Sequence, residues 1–200
     1  MGSSILFLSA SMLKDLPPHV LTYMENSLKT KIRLSTYGGY TISKLIGPLG
    51  EVNSQLQDSE VLFFLGGQND FSKGDWQADP DLLGKTIAIR LRLHLCRLAE
   101  KNKALKIVSL PLTKRQVNTN LHTRFADSLK ISYIEKINQA IETFHANFHA
   151  CPCHKDRILI CVGNFDYGKI LADDGIHLSS EGKGAIIAQA IAQYKSWVAI

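Results

Sequence analysis

What the chain lacks narrows its class before any motif is read. It has no apolar run long enough to span a bilayer; its longest are short and broken by charges or glycine. It has no fixed-period repeat and no low-complexity stretch, which excludes solenoids and biased tails. Cysteine is scarce, with only Cys96, Cys151, Cys153 and Cys161. Cys151 and Cys153 flank Pro152, too close for an unstrained mutual disulfide. Reduced thiols in an intracellular setting are therefore expected. The run CPCH from Cys151 to His154, with Cys161 nearby, lacks the two separated ligand pairs of a structural zinc site, so no metal is expected. The first residues lack the basic start of a secretory leader, and their apolar stretch reads as a strand.

What is present fits an ordinary globular chain. Of 200 residues, 45% are hydrophobic and 20% charged, enough for one domain over residues 1–200 with one buried core. The formal net charge of +5 favours anionic partners in approach. It is too mild to establish nucleic-acid binding.

Apolar runs and helical stretches alternate from end to end. Strands are expected at Ile5–Leu8, Lys31–Ser35, Val61–Leu65, Leu105–Leu110 and Arg157–Val162, each bounded by breakers or turn residues. Helices are expected around Pro18–Leu28, Asp81–Lys103, Ile131–Phe144 and Gly184–Trp197. In the second of these, Ile87, Leu91, Leu95 and Leu98 share one face, while Arg90, His94, Arg97 and Lys101 share the opposite one. Such alternation predicts a mostly parallel sheet of about five strands with helices on both faces, a three-layer α/β/α sandwich of the flavodoxin-like kind. Ligands of such sheets bind beyond the carboxyl ends of the strands. The segments SAS, YGG and GGQND each follow an expected strand, so all three fall on that edge.

Two of these features can carry chemistry. Ser11 follows the first strand and opens a helical region, whose N-terminal N–H groups favour negative charge. A serine hydroxyl needs a base before it becomes a nucleophile. The segment DDGIHLSSEG sets Asp174 three residues before His177 around a glycine. A tight turn there lets the carboxylate hold one ring nitrogen and leaves the other to face the serine. Taken singly, each residue also has a structural explanation. Ser11 suits a helix cap, Asp174 a turn, His177 a buried hydrogen-bonded position, and Asn69 a loop amide bonding its own backbone.

Their order along the chain resembles the SGNH/GDSL hydrolase superfamily, whose members carry four short blocks across the domain. Ser9-Ala10-Ser11 stands at the first block, Gly39-Tyr40-Thr41 at the second, Gly67-Gln68-Asn69-Asp70 at the third, and Asp174 to His177 at the last. The resemblance implies a serine esterase or acetylhydrolase working through an acyl-enzyme, with Ser11 as nucleophile, His177 as base and Asp174 as its orienter. It implies an oxyanion hole from the Ser11 and Gly39 N–H groups and the Asn69 side chain, an ester substrate that is a small molecule, glycan or lipid, and no cofactor. Phe71 and Trp76, just after the third block, are candidates for a substrate pocket whose shape is set by the loops 71–79 and 113–130.

The first block departs from the superfamily pattern, since Ser9 and Ala10 stand where Gly and Asp are usual. The superfamily also resembles domains that have lost catalysis, such as the RNA-binding OSK domain, while esterase-like domains with an intact triad occur in retrotransposon reading frames. The alternative is thus a weak or inactive domain that binds RNA or a protein partner through its basic surface. On that alternative Arg90, Arg97, Lys101, Lys114 and Arg115 would contact RNA. No aromatic RNA-reading platform is evident in the sequence.

Overall fold

The computed structural model describes the chain except residues 1–3, 49, 51–54, 57–58, 74–78, 117–126, 150–151, 164 and 200, and the side chains of 73, 127–130, 153 and 167. Five strands, β1 (Ile5–Ser9), β2 (Ile32–Thr36), β3 (Val61–Leu65), β4 (Lys106–Ser109) and β5 (Ile158–Ile160), form one sheet in the order β2-β1-β3-β4-β5. All of its pairings are parallel. The expectation of an α/β sandwich around a parallel sheet holds.

The two central strands β1 (ILFLS) and β3 (VLFFL) are buried at every residue. A strand covered on both faces needs apolar side chains in unbroken succession rather than in alternation. Phe7 lies opposite Phe63 in the register, and their rings stack 4.3 Å apart and nearly parallel. The outer strand β2 (IRLST) is more polar and only partly buried. β5 is shorter than its apolar run because α7 takes over its end: Gln193 accepts from the Val162 N–H, and Gln189 and Gln193 donate to the Val162 carbonyl.

Seven α-helices occur among the described residues: α1 (Pro18–Leu28), α2 (Ile42–Ile46), α3 (Gln68–Lys73), α4 (Pro80–Lys101), α5 (Asp127–Asn147), α6 (Tyr167–Ile170) and α7 (Ser180–Val198). The chain runs outward from β1 to β2, then returns past β1 to β3, β4 and β5. Right-handed crossovers therefore put α1 on one face and α4 and α5 on the other. α7 packs beside α1, and α2 and α5 pack against α4. The Tyr194 ring of α7 meets Phe63 edge-on at 5.4 Å. No helix among the described residues is long and apolar enough to cross a membrane.

α5 is longer at both ends than the expected Ile131–Phe144, and two further departures from the sequence expectation each have a physical reason. α7 begins four residues earlier than Gly184 because the Ser179 hydroxyl accepts from the Gly182 N–H and caps it. Gly182 also lies so close to Ile170 that a Cβ would sit 1.9 Å from its carbonyl oxygen. The GGQND segment, read as a loop, instead enters α3, so that Asn69 and Asp70 lie in a first helical turn.

Candidate active site

Strand order places a crevice between β1 and β3, where the chain leaves in opposite directions along the sheet. Ser9 is in register with Thr36 of β2 and Leu65 of β3. Ser11, Gly39 and Asn69 thus emerge within a few residues of three neighbouring strand ends.

Ser11 opens a 3₁₀ turn, Ser11–Leu13. The buried Ser9 hydroxyl accepts from the Leu13 N–H at 3.2 Å and braces that turn. Among the described residues only Asp15 and Lys29 combine a side chain with a left-handed φ. The backbone at Ser9 and Ala10 therefore requires no glycine. Ala10 is fully buried, and its N–H donates to the Leu65 carbonyl at 3.2 Å. The altered first block still forms a defined turn.

The second arm comes from the loop before α7. Asp174 Oδ1 accepts from the Ile176 and His177 N–H groups, each at 2.9 Å, while Oδ2 lies 2.6 Å from His177 Nδ1. Gly175 makes the turn with φ 66°, a left-handed conformation that side chains disfavour. An ionised carboxylate only accepts, so Nδ1 carries the ring proton and Nε2 is left as an acceptor in the neutral ring. Nε2 lies 3.0 Å from Ser11 Oγ. Partial burial raises the proton affinity of Asp174. The hydrogen bonds from the His177 ring and from the two N–H groups outweigh it and hold the carboxyl below its ordinary value.

The opposite wall is built from β2 and β3. Gly39 takes the left-handed φ of 73° that the YGG turn needs. Asn69 donates one amide hydrogen to the Tyr40 carbonyl at 2.9 Å, and a primary amide has a second to offer. Asp70, whose role sequence reading missed, accepts from the Ile42 N–H at 2.9 Å and so fixes the start of α2. Burial pushes its carboxyl up, against the hydrogen bond from Ile42 and the charge of Arg90. The pair Asn69-Asp70 therefore grips the Gly39 loop on both sides of Thr41. The only sequence signal for this was the adjacency of the two residues in one block.

Other expected site residues fall elsewhere. Phe71 is 1% exposed and turned into the core, its ring edge-on to Phe144 at 5.9 Å; it forms no pocket wall, because α3 rotates it away from the strand ends. Trp76 lies outside the described residues, as do residues 74–78 and 117–126 of the two pocket loops. The five basic residues do not make one free surface. Arg90 pairs with Asp70 at 3.4 Å and Lys114 pairs with Glu142. Arg115 is 6% exposed and directed inward. Arg97 is half-buried and Lys101 exposed. The His/Cys run at 151–154 falls partly outside the described residues, and Cys161 is a buried thiol that burial pushes up to about 12. Among the described residues no cluster of His, Cys, Asp and Glu is arranged to hold a metal ion.

A parallel 2-1-3-4-5 sheet thus carries a serine, a histidine and a carboxylate in hydrogen-bonded series beyond its carboxyl edge, within an α/β sandwich. The fold is that of the SGNH/GDSL hydrolases. An acetyl esterase mutant with acetate ion superposes at a TM-score of 0.63 with 15% identity, over 98% of each chain. A carbohydrate esterase of family 3 from Talaromyces cellulolyticus gives 0.62 with 14% identity over 100% of both chains. A GDSL-like lipase from Bacteroides thetaiotaomicron gives 0.55 with 14% identity, over 99% of this chain and 89% of that one. No protein-family model and no curated protein matches the sequence.

Proposed function

We propose that this chain is a serine hydrolase of carboxylic esters that works through an acyl-enzyme. The observation that carries the reading is the series Asp174–His177–Ser11, with its links of 2.6 and 3.0 Å. Ser11 Oγ attacks the ester carbonyl as its proton passes to His177 Nε2. Asp174 keeps the ring in the right tautomer and favours the imidazolium that forms. The developing oxyanion is met by the Ser11 and Gly39 N–H groups and by the second amide hydrogen of Asn69. Such donors are worth most when the charge appears in the transition state. His177 returns the proton to the leaving alcohol, and water then hydrolyses the acyl-serine by the same route.

The solved neighbours include an acetyl esterase and a carbohydrate esterase, which supports short acyl groups as the first substrates to try. The RNA-binding alternative gains no support from its five basic residues, three of which are committed to partners within the fold. The test is hydrolysis of p-nitrophenyl acetate by the wild type beside Ser11→Ala. Activity abolished in a folded Ser11→Ala protein supports the reading. Equal activity in both proteins removes Ser11 from it.

A further inference from the structure

The two arms of the site come from distant parts of the chain, yet one short stretch joins them. Thr113, Arg115 and Gln116 lie between β4 and α5. The Gln68 side chain donates to the Thr113 carbonyl at 3.1 Å. The Arg115 guanidinium donates to the Gln68 carbonyl at 3.2 Å and also to the Ser72 hydroxyl. Gln68 and Ser72 both belong to α3, the helix that carries Asn69. One residue further on, the Gln116 N–H donates to the Gly175 carbonyl at 2.9 Å, in the turn between Asp174 and His177. Asn138 of α5 clamps the stretch from behind. Its Oδ1 accepts from the Arg115 N–H and its Nδ2 donates to the Arg115 carbonyl, both at 2.7 Å.

We propose that Arg115 is a positioning residue, which sets the Asn69 helix against the Asp174–His177 turn so that oxyanion donor and base face one carbonyl group. Its burial is costly. A guanidinium taken out of water should be paired with a carboxylate, whereas the acceptors it reaches here are a carbonyl and a hydroxyl, and its Nε has no hydrogen-bond partner among the described residues. Two further buried polar atoms, Gln68 Oε1 and Thr113 Oγ1, also have none among the described residues. Apolar packing would hold the same elements together more cheaply. What an arginine adds is reach and a rigid planar end: its Nη2 alone holds two points of α3 while its own backbone, clamped by Asn138, leads directly into the bond to Gly175. Lysine has the charge on a flexible stem without that planar end.

This proposal rests on the hydrolase reading, and the experiment separates the two. Arg115→Met keeps the side-chain volume, Arg115→Lys keeps the charge, and Ser72→Ala removes one acceptor with little risk to folding. With p-nitrophenyl acetate, kcat is expected to fall about a hundredfold in Arg115→Met with KM within about twofold, because sub-ångström misplacement acts on the transition state. Arg115→Lys should recover part of that loss, and Ser72→Ala should lower kcat several-fold. A folded Arg115→Met protein with wild-type kcat overturns the proposal. So does an unchanged kcat in Ser72→Ala, should the methionine variant not fold. If the wild type hydrolyses nothing, the hydrolase reading is what fails, and the tie is then read by NMR. The ring resonances of His177 must shift in Ser72→Ala, although Ser72 is not bonded to the turn; unmoved resonances refute the tie.

Discussion

The two arms of the site are built by opposite means. Asp174 and His177 are half-exposed, each side chain 45% open to solvent, and their geometry comes from bonds closed within four consecutive residues. On the other arm the Asp70 side chain is 1% exposed and Arg115 is buried. There every important bond is long-range: Asp70 reaches 28 residues back to Ile42, and Arg115 reaches 43 residues back to Ser72. A solvated turn can be made by its own residues because water satisfies whatever they leave over. Buried donors must find partners wherever the fold brings them. The base is thus shaped locally, with one long-range tie from Gln116 to Gly175, and the oxyanion wall is shaped globally. Substitutions on the two arms should then separate chemistry from stability.

The largest effect expected is on the open arm. His177→Ala should lower kcat for p-nitrophenyl acetate by at least about a thousandfold, while the melting temperature changes little, since the ring is half-exposed. Asn69→Ala should cost about a hundredfold in kcat with KM nearly unchanged, the signature of a donor used in the transition state. It should also lower stability, because the Tyr40 carbonyl loses its bond. Asp70→Ala inverts the pattern. It leaves the buried Ile42 N–H unpaired, a loss of about 2 kcal/mol readable in urea unfolding, and affects kcat only through the Gly39 loop. If His177→Ala proved less stable than Asp70→Ala, the contrast between arms would be broken.

Legibility in the sequence follows the same division. The central strands β1 and β3 are readable because buried parallel strands need unbroken apolar runs, and ILFL and VLFFL are such runs. The Asp174–His177 turn was readable because its bonds span only a few residues. Asp70 and Arg115 were not, because no local pattern announces a partner dozens of positions away. Composition cannot tell an inward guanidinium from a solvated one, so the sequence alone allows Arg115 as an RNA contact although it is buried. Phe71 was misread for a related reason: a helix that starts inside the GGQND block turns its fourth residue toward the core, and the block's polarity hid that helix. At the first block the backbone accepts side chains where the superfamily has glycine, because neither Ser9 nor Ala10 is left-handed.

Gly175→Ala sharpens the comparison at smaller cost. Alanine at φ 66° is strained by about 1 kcal/mol. Gly175 itself is buried, but Asp174 and His177 beside it are half-open to solvent, so the turn can relieve that strain by loosening. The expected result is a few-fold drop in kcat and a stability loss near that figure, the two measured by p-nitrophenyl acetate turnover and urea unfolding. A loss of several kcal/mol would mean that the turn is welded to the core and that the open arm is not locally made.

The smallest effect is the most diagnostic, because the two carboxylates should respond to pH with opposite signs. Asp174 is held below its ordinary value, so its contribution to stability is present above its unfolded value of about 4 and is lost as pH falls through the lower folded value. Asp70 is pushed above its ordinary value by burial. Its contribution is complete below about pH 4 and is lost as pH rises through the higher folded value. Urea unfolding of Asp174→Asn across this range should show the wild type losing its advantage over the variant on acidification. Asp70→Asn should show the wild type losing ground as pH rises instead. Parallel slopes would mean that both carboxylates sit in one kind of environment, and the division of the site into a solvated and a buried arm would not stand.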